Sequence, residues 1–166
     1  SDVYKRQSLG LVTALVSVLT LAGMAASIIG ARLCLSNGRH RIISFVGMAS
    51  VIVAAVSSLV LGAPVWIALG CLFIYNVCIM LDSGALTAGV VSVAGEGDRG
   101  ALLAVHSMVG FAGGSLGAPA VGMMLDFGGG GDRLDAWSGA LLIMGLGSAL
   151  VALIQWRAWR RHGFAV

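Results

Sequence analysis

Charge is scarce in this sequence. Of 166 residues, ten are Lys or Arg and seven are Asp or Glu, 10% in all, against about 25% in an average soluble domain. A water-soluble domain of this length must cover its surface with charge, and this chain has too little to do so. Cysteine is sparse too: Cys34, Cys71 and Cys78. An odd count offers no complete disulfide framework. Cys71 and Cys78 would stand about 10.5 Å apart along a helix, too far to bridge. No CxxC or Cys/His spacing points to a metal, and no cofactor is implied, so the three thiols read as small apolar fillers. What the chain has instead is apolar surface, 58% of its residues, with a mean hydropathy of +0.99. That excludes a disordered chain and points to an integral membrane protein with the lipid bilayer as its solvent. The net charge of +3 would suggest nucleic acid in a soluble chain. Here it marks cytoplasmic loops, and no nucleic-acid partner is expected.

The few charges divide the chain into long neutral runs: Gln7–Ala31, Ile42–Leu81, Ser83–Gly95, Gly100–Leu125 and Ala136–Trp156. About 20 apolar residues cross a bilayer as a helix, so Ile42–Leu81 is too long for one span. Gly62-Ala63-Pro64 is a turn signal that splits it, and the second part continues across the single charge of Asp82. The runs are continuous rather than alternating, which leaves helices as the spanning structure. The expectation is an all-α membrane protein, a five-helix transmembrane bundle with helices at about 8–30, 42–61, 65–93, 101–124 and 136–156. A basic cytoplasmic tail, 157–166, would follow.

Basic residues set the orientation. Arg32, Arg39 and Arg41 fall between the first two helices and Arg157, Arg160 and Arg161 after the last, while the segment with Asp126, Asp132, Arg133 and Asp135 is net negative. The first loop and the tail are then inside, and the chain is expected in the cell membrane with its C-terminus cytoplasmic. Trp66 and Trp137 at the outer ends, and Trp156 and Trp159 at the inner one, suit interfacial belts. Lys5 and Arg6 disagree, because this topology puts the N-terminus outside. The stretch 1–7 has no starting Met and resembles a translated sequencing adaptor, so it is expected to be non-native. A signal peptide is the competing reading, but its apolar core would be about 21 residues against roughly 7–15 in an ordinary h-region.

Two patterns match a motif and fail its context. Gly95 to Gly100 spells GxGxxG, but no strand precedes it and no βαβ unit surrounds it, so a Gly-rich turn is expected. Gly113-Gly114-Ser115-Leu116-Gly117 spells GxSxG inside a span, where a nucleophile elbow cannot form. Gly110, Gly113, Gly114 and Gly117 do form overlapping GxxxG patterns, with Gly122 and Pro119 beyond. They are expected to make a close helix-packing ridge.

Asp82 is the acid placed well inside a span, about 16 Å from the inner end of its helix. Inserting an unpaired acid there costs about 2.5–3.5 kcal/mol, so it calls for a polar partner or a water-filled cavity. Tyr75 lies about 20° from Asp82 around the helix, with Asn76, Ser83 and Thr87 on the same broad arc. A cavity lining is expected there. Thr13, Ser17, Thr20 and Ser27 share a face of the first helix, and His106 lies on the glycine face of the fourth at the depth of Thr87. The second and fifth helices hold only uncharged polar residues in their spans and are expected to be peripheral and lipid-facing. The first, third and fourth would then form the functional face.

The chain resembles the C-terminal half of a major facilitator superfamily transporter, over nearly everything after Gln7. Arg32-Leu33-Cys34 through Asn37-Gly38-Arg39-His40-Arg41 looks like a worn copy of the family's cytoplasmic loop motif R-L-x-D-R-x-G-R-R. Gly38, Arg39 and Arg41 fit, and the motif's Asp and Arg fall on Leu35 and Ser36. Asp82 through Gly89 with Arg99-Gly100 looks like span 10 and its inner loop. His106 through Phe111, then Gly117-Ala118-Pro119 and Asp126, look like span 11. The resemblance implies spans 8–12 of a twelve-span fold, with the N-terminal half of the same protein missing. It also implies a secondary transporter that moves a small solute, with proton coupling as one option, by alternating access. Asp82 would lead the coupling or substrate site, with Tyr75, Asn76, Ser83, Thr87 and His106 around the cavity. The alternatives are a complete small five-span channel or partner protein, and an intramembrane enzyme. The enzyme would need a nucleophile and a base on facing helices, and no such pair stands out at a suitable depth in the sequence.

Overall fold

The computed structural model describes the backbone of residues 2–162 and the side chains of residues 9–161. Among these residues the chain is all helical. Five helices run in order: α1 (Asp2–Asn37), α2 (Arg39–Val60), α3 (Val65–Val93), α4 (Arg99–Phe127) and α5 (Leu134–His162). Each is long and apolar enough to cross a membrane, α4 with the lowest hydropathy of the five. These are the marks of a multi-pass membrane protein. Side-chain exposure agrees. Leu59 and Phe127 are each 83% exposed, and large apolar side chains are exposed along all five helices. That surface would be prohibitive in water and is ordinary in hydrocarbon.

The helices outrun their expected ends. α1 continues to Asn37, so Arg32 lies on helix rather than in a loop, and α5 carries Arg157, Arg160 and Arg161 on helix to His162. A neutral run measures the hydrocarbon core. The helix itself ends only where its backbone hydrogen bonding stops, and charged residues extend it into the headgroup layer. The first loop therefore shrinks to one residue, Gly38, whose φ of 85° is a left-handed conformation that glycine reaches without strain. Of the residues expected to be non-native, Asp2–Gln7 belong to α1, and Ser1 lies outside the described residues, as do residues 163–166 of the tail.

α1 lies along α3, α3 along α2, and α2 along α5, while α4 is held more lightly by α5 and α3. Small residues set these contacts. A Cβ added at Gly84 on α3 would fall on the Ser27 carbonyl of α1, and one at Gly30 on α1 would fall on the Leu81 carbonyl of α3. On the other side, Gly47 of α2 abuts Ala152 of α5, and Gly145 of α5 abuts Ala54 of α2. Lipid tails are as apolar as leucine, so helices associate by close van der Waals fit, which small residues permit. Cys34, Ile43 and Ala85 form a buried cluster where α1, α2 and α3 meet, with Ile42, Leu86, Ala88 and Val151 packed against it.

Two expectations are corrected here. α2 is central rather than peripheral: Ile43, Ser44, Gly47, Ser50, Ala54, Ser57 and Ser58 are all buried. The Ser57 hydroxyl is buried without a hydrogen-bond partner among the described residues, but the other buried serines satisfy themselves locally: Ser50 donates to the Val46 carbonyl at 3.0 Å, Ser44 to His40 at 2.6 Å and Ser58 to Ala55 at 2.7 Å. They therefore pack as small residues and need no cavity. The glycine ridge of α4 does the opposite. No residue of α4 is buried, and a Cβ added at Gly110, Gly113, Gly114 or Gly117 would meet nothing within 4 Å. GxxxG permits a close approach without supplying the partner, and among the described residues no helix lies against this face.

Candidate functional site

The hydroxyls on α1 are local in their bonding. Thr13, Ser17 and Thr20 each donate to the carbonyl four residues back, at 2.8, 2.9 and 2.8 Å. This is the economical way to carry a hydroxyl through lipid. Between α1 and α3 lies a groove made of two successive clefts. One, of about 690 Å³, is lined by Val16, Leu19, Thr20, Gly23, Met24, Ser27, Ile28, Asn76 and Met80. The other, of about 530 Å³, includes Ser27, Ile28, Leu35, Gly84, Thr87, Ser92 and Arg99. They share Ser27 and Ile28, and from Val16 to Leu35 the groove follows α1 for about 28 Å. It exists because Gly23 and Gly84 bring the two helices together without side chains to fill the flank.

Asn76 sits at one end of the groove and donates from Nδ2 to the Leu19 carbonyl of α1, 3.1 Å away. Thr87 sits at the other end. Its hydroxyl donates to the Ser83 carbonyl at 2.9 Å, and His106 Nε2 of α4 lies 3.4 Å from the same oxygen. Because the Thr87 proton is committed to Ser83, the histidine nitrogen must be the donor in this second contact. The pair therefore ties α3 to α4 at a depth the two residues share.

The polar arc of α3 divides. Asn76 and Thr87 line the groove, and Ser83 is exposed without lining either cleft. Tyr75 and Asp82 line neither cleft. Tyr75 is 4% exposed and reaches the Ser148 side chain of α5. Asp82 falls about 20° from it around the helix and some 120–160° from Asn76, Thr87 and Gly84. One of its carboxylate oxygens, Oδ1, is buried with no hydrogen-bond partner. The sequence expectation of one continuous lining from Tyr75 to Thr87 is thus replaced by two faces of α3, a groove face and a face away from the groove, where Tyr75 reaches Ser148 of α5. Periodicity places residues around a helix, but only packing says which neighbour each sector meets.

At the α1–α2 turn, the residues around Gly38 join helices. His40 Nε2 accepts from Arg39 Nε at 3.2 Å, and His40 Nδ1 then donates to Gln155 Oε1 of α5 at 2.7 Å. Arg41 lies 5.9 Å over the Phe45 ring. The residues that sequence reasoning missed are Gly23 and Gly84 on the groove's wall, Gly30 at the α1–α3 contact, and the His40–Gln155 clasp. The spacings Gly23-x-x-x-Ser27 and Gly84-x-x-x-Ala88 carried a small-residue signal. The clasp carried none, since its members are 115 positions apart. Among the described residues no group of three or more His, Cys, Asp or Glu side chains is placed to hold a metal.

No protein-family model, curated protein or solved structure matches this chain.

Proposed function

We propose that this bundle is part of a secondary transporter that carries a small solute across the cell membrane by alternating access. On this reading α1–α5 correspond to spans 8–12 of a twelve-helix major facilitator fold and work with a further seven helices. The observation that carries the reading is the α1–α3 groove, a long apolar cleft at membrane depth with Thr20, Ser27, Asn76 and Thr87 set along it. Transporter sites near the midplane have this character, and purely structural helix contacts fill such space. The light attachment of α4 supports it as well, since a helix with an open glycine face has room for further helices.

In this scheme Asn76, Thr87 and His106 line or border the solute path. Asp82, with an unpartnered oxygen inside the bundle, is the coupling site, where one proton changes the charge of the interior. On this reading the bundle carries a solute rather than catalysing a reaction.

Reconstitution of the complete protein in proteoliposomes tests this. Asp82→Asn should abolish or uncouple solute uptake while leaving the inserted amount unchanged, because Asn keeps the shape and removes the charge. Full uptake by Asp82→Asn under every proton and solute gradient would remove Asp82 from the coupling role. The lack of gradient-driven uptake or exchange by the wild-type protein, for any solute that binds it, would remove the transporter reading.

A further inference from the structure

We propose that the α1–α3 groove receives an amphipathic anion, a largely apolar body carrying one acidic group held at the Arg99 end. The inference rests on the reading of the groove as the solute site and adds the sign of the solute's charge. Arg99 is the one charged side chain lining either cleft, and no Asp or Glu lines them. Asp82, the acid nearest in sequence that lies within a helix, lines neither cleft and shares its helix face with Tyr75, which contacts α5. Glu96 and Asp98 lie in the loop just before Arg99, the first residue of α4, yet neither lies within 4.0 Å of its guanidinium, and the one ion pair among the described residues is Arg133–Asp135. The guanidinium is therefore available to a ligand.

The second donor is Ser27, which lines both clefts and makes no hydrogen bond among the described residues. Thr87 and Ser92, in the same cleft, already donate to the carbonyls of Ser83 and Gly89 and offer only acceptors. A cation would meet an unpaired guanidinium and no carboxylate. An acid would meet a cation and a free hydroxyl, with Val16, Leu19, Met24, Ile28 and Met80 farther along for its apolar body.

Fluorescence titration of the full chain in phosphatidylcholine nanodiscs tests the proposal, with dansyl-undecanoate as probe. Its neutral amide and its trimethylammonium counterpart serve as comparators. The carboxylate should bind at least about ten-fold more tightly than either, as expected for one charge-assisted contact. Arg99→Gln should erase that preference and Arg99→Lys should keep most of it. Ile28→Trp should weaken all three probes, because Ile28 lines both clefts and is 57% exposed, so added bulk fills the groove without disturbing the helix contact. Equal binding of the three probes, tighter binding of the cation, or a preference unchanged in Arg99→Gln would overturn the proposal. So would displacement of the carboxylate by phosphatidylglycerol in the nanodisc, which would assign the site to membrane lipid. Transport is read separately in the complete protein. An Arg99-dependent preference without uptake would overturn the transporter reading and leave the anion site standing. Uptake indifferent to charge would do the reverse.

Discussion

Gly84 and Gly113 are the same residue in opposite surroundings. Gly84 faces the Ser27 carbonyl with no room for a methyl group, whereas Gly113 faces open space. Gly84→Ala should destabilise the chain by about 1–3 kcal/mol through overpacking of backbone against backbone. Gly113→Ala should be neutral or stabilising by up to about 1 kcal/mol, through helix propensity alone. Thermal unfolding of the two variants in detergent micelles checks the contrast, and equal losses in both would show that the α4 face is occupied. Gly38 is constrained by conformation rather than space. Its φ of 85° makes the one-residue reversal between α1 and α2 possible. Gly38→Ala should cost about 1–2 kcal/mol in the same assay, although nothing lies within 4 Å of the added Cβ.

At the scale of the element, the helices are held in pairs by different means. α1 and α3 meet through glycine and backbone, with Asn76 donating across to Leu19. α2 and α5 meet through Gly47, Ala54, Gly145 and Ala152. At one end Ser138 donates to the Ser58 carbonyl at 2.8 Å, and at the other His40 is clasped to Gln155. The clasp is the long-range polar contact near the α1–α2 turn. His40→Ala and Gln155→Ala should each lower stability, and the double variant should lose less than the two together by about 0.5–1.5 kcal/mol. Additive losses in a double-mutant cycle would mean that the two side chains do not act on each other.

At the scale of the molecule, charge decides orientation and small residues decide association. The basic residues Arg32, Arg39 and Arg41 lie at the α1–α2 end of the bundle, and Arg157, Arg160 and Arg161 lie near the end of α5. A reporter enzyme active only outside the cytoplasm should therefore be silent when fused after Val166 and active when fused at Gly129 or Gly62. The reversed pattern would invert the bundle. α4 gives the assembly its asymmetry. It carries no buried residue and an open glycine face, while α2 carries seven buried positions. A further set of helices would find its site there, as the proposed twelve-helix arrangement requires.

The number of helices and their membrane character were legible in the sequence, because the cost of charge in hydrocarbon punctuates a chain that has few charges. The turn at Gly62-Ala63-Pro64 was legible for a local reason of the same kind, since proline and glycine act on their own backbone. The polar residues of α3 were legible as an arc, but their division into a groove side at Asn76 and Thr87 and a side away from the groove at Tyr75 and Asp82 was not. That division depends on which helices flank α3, and neighbours are chosen by fit between surfaces far apart in sequence. The same reason explains the glycines. A GxxxG pattern states that a helix can be approached closely. Only the tertiary structure decided that Gly23, Gly30 and Gly84 are the ones approached, while Gly110, Gly113, Gly114 and Gly117 remain open.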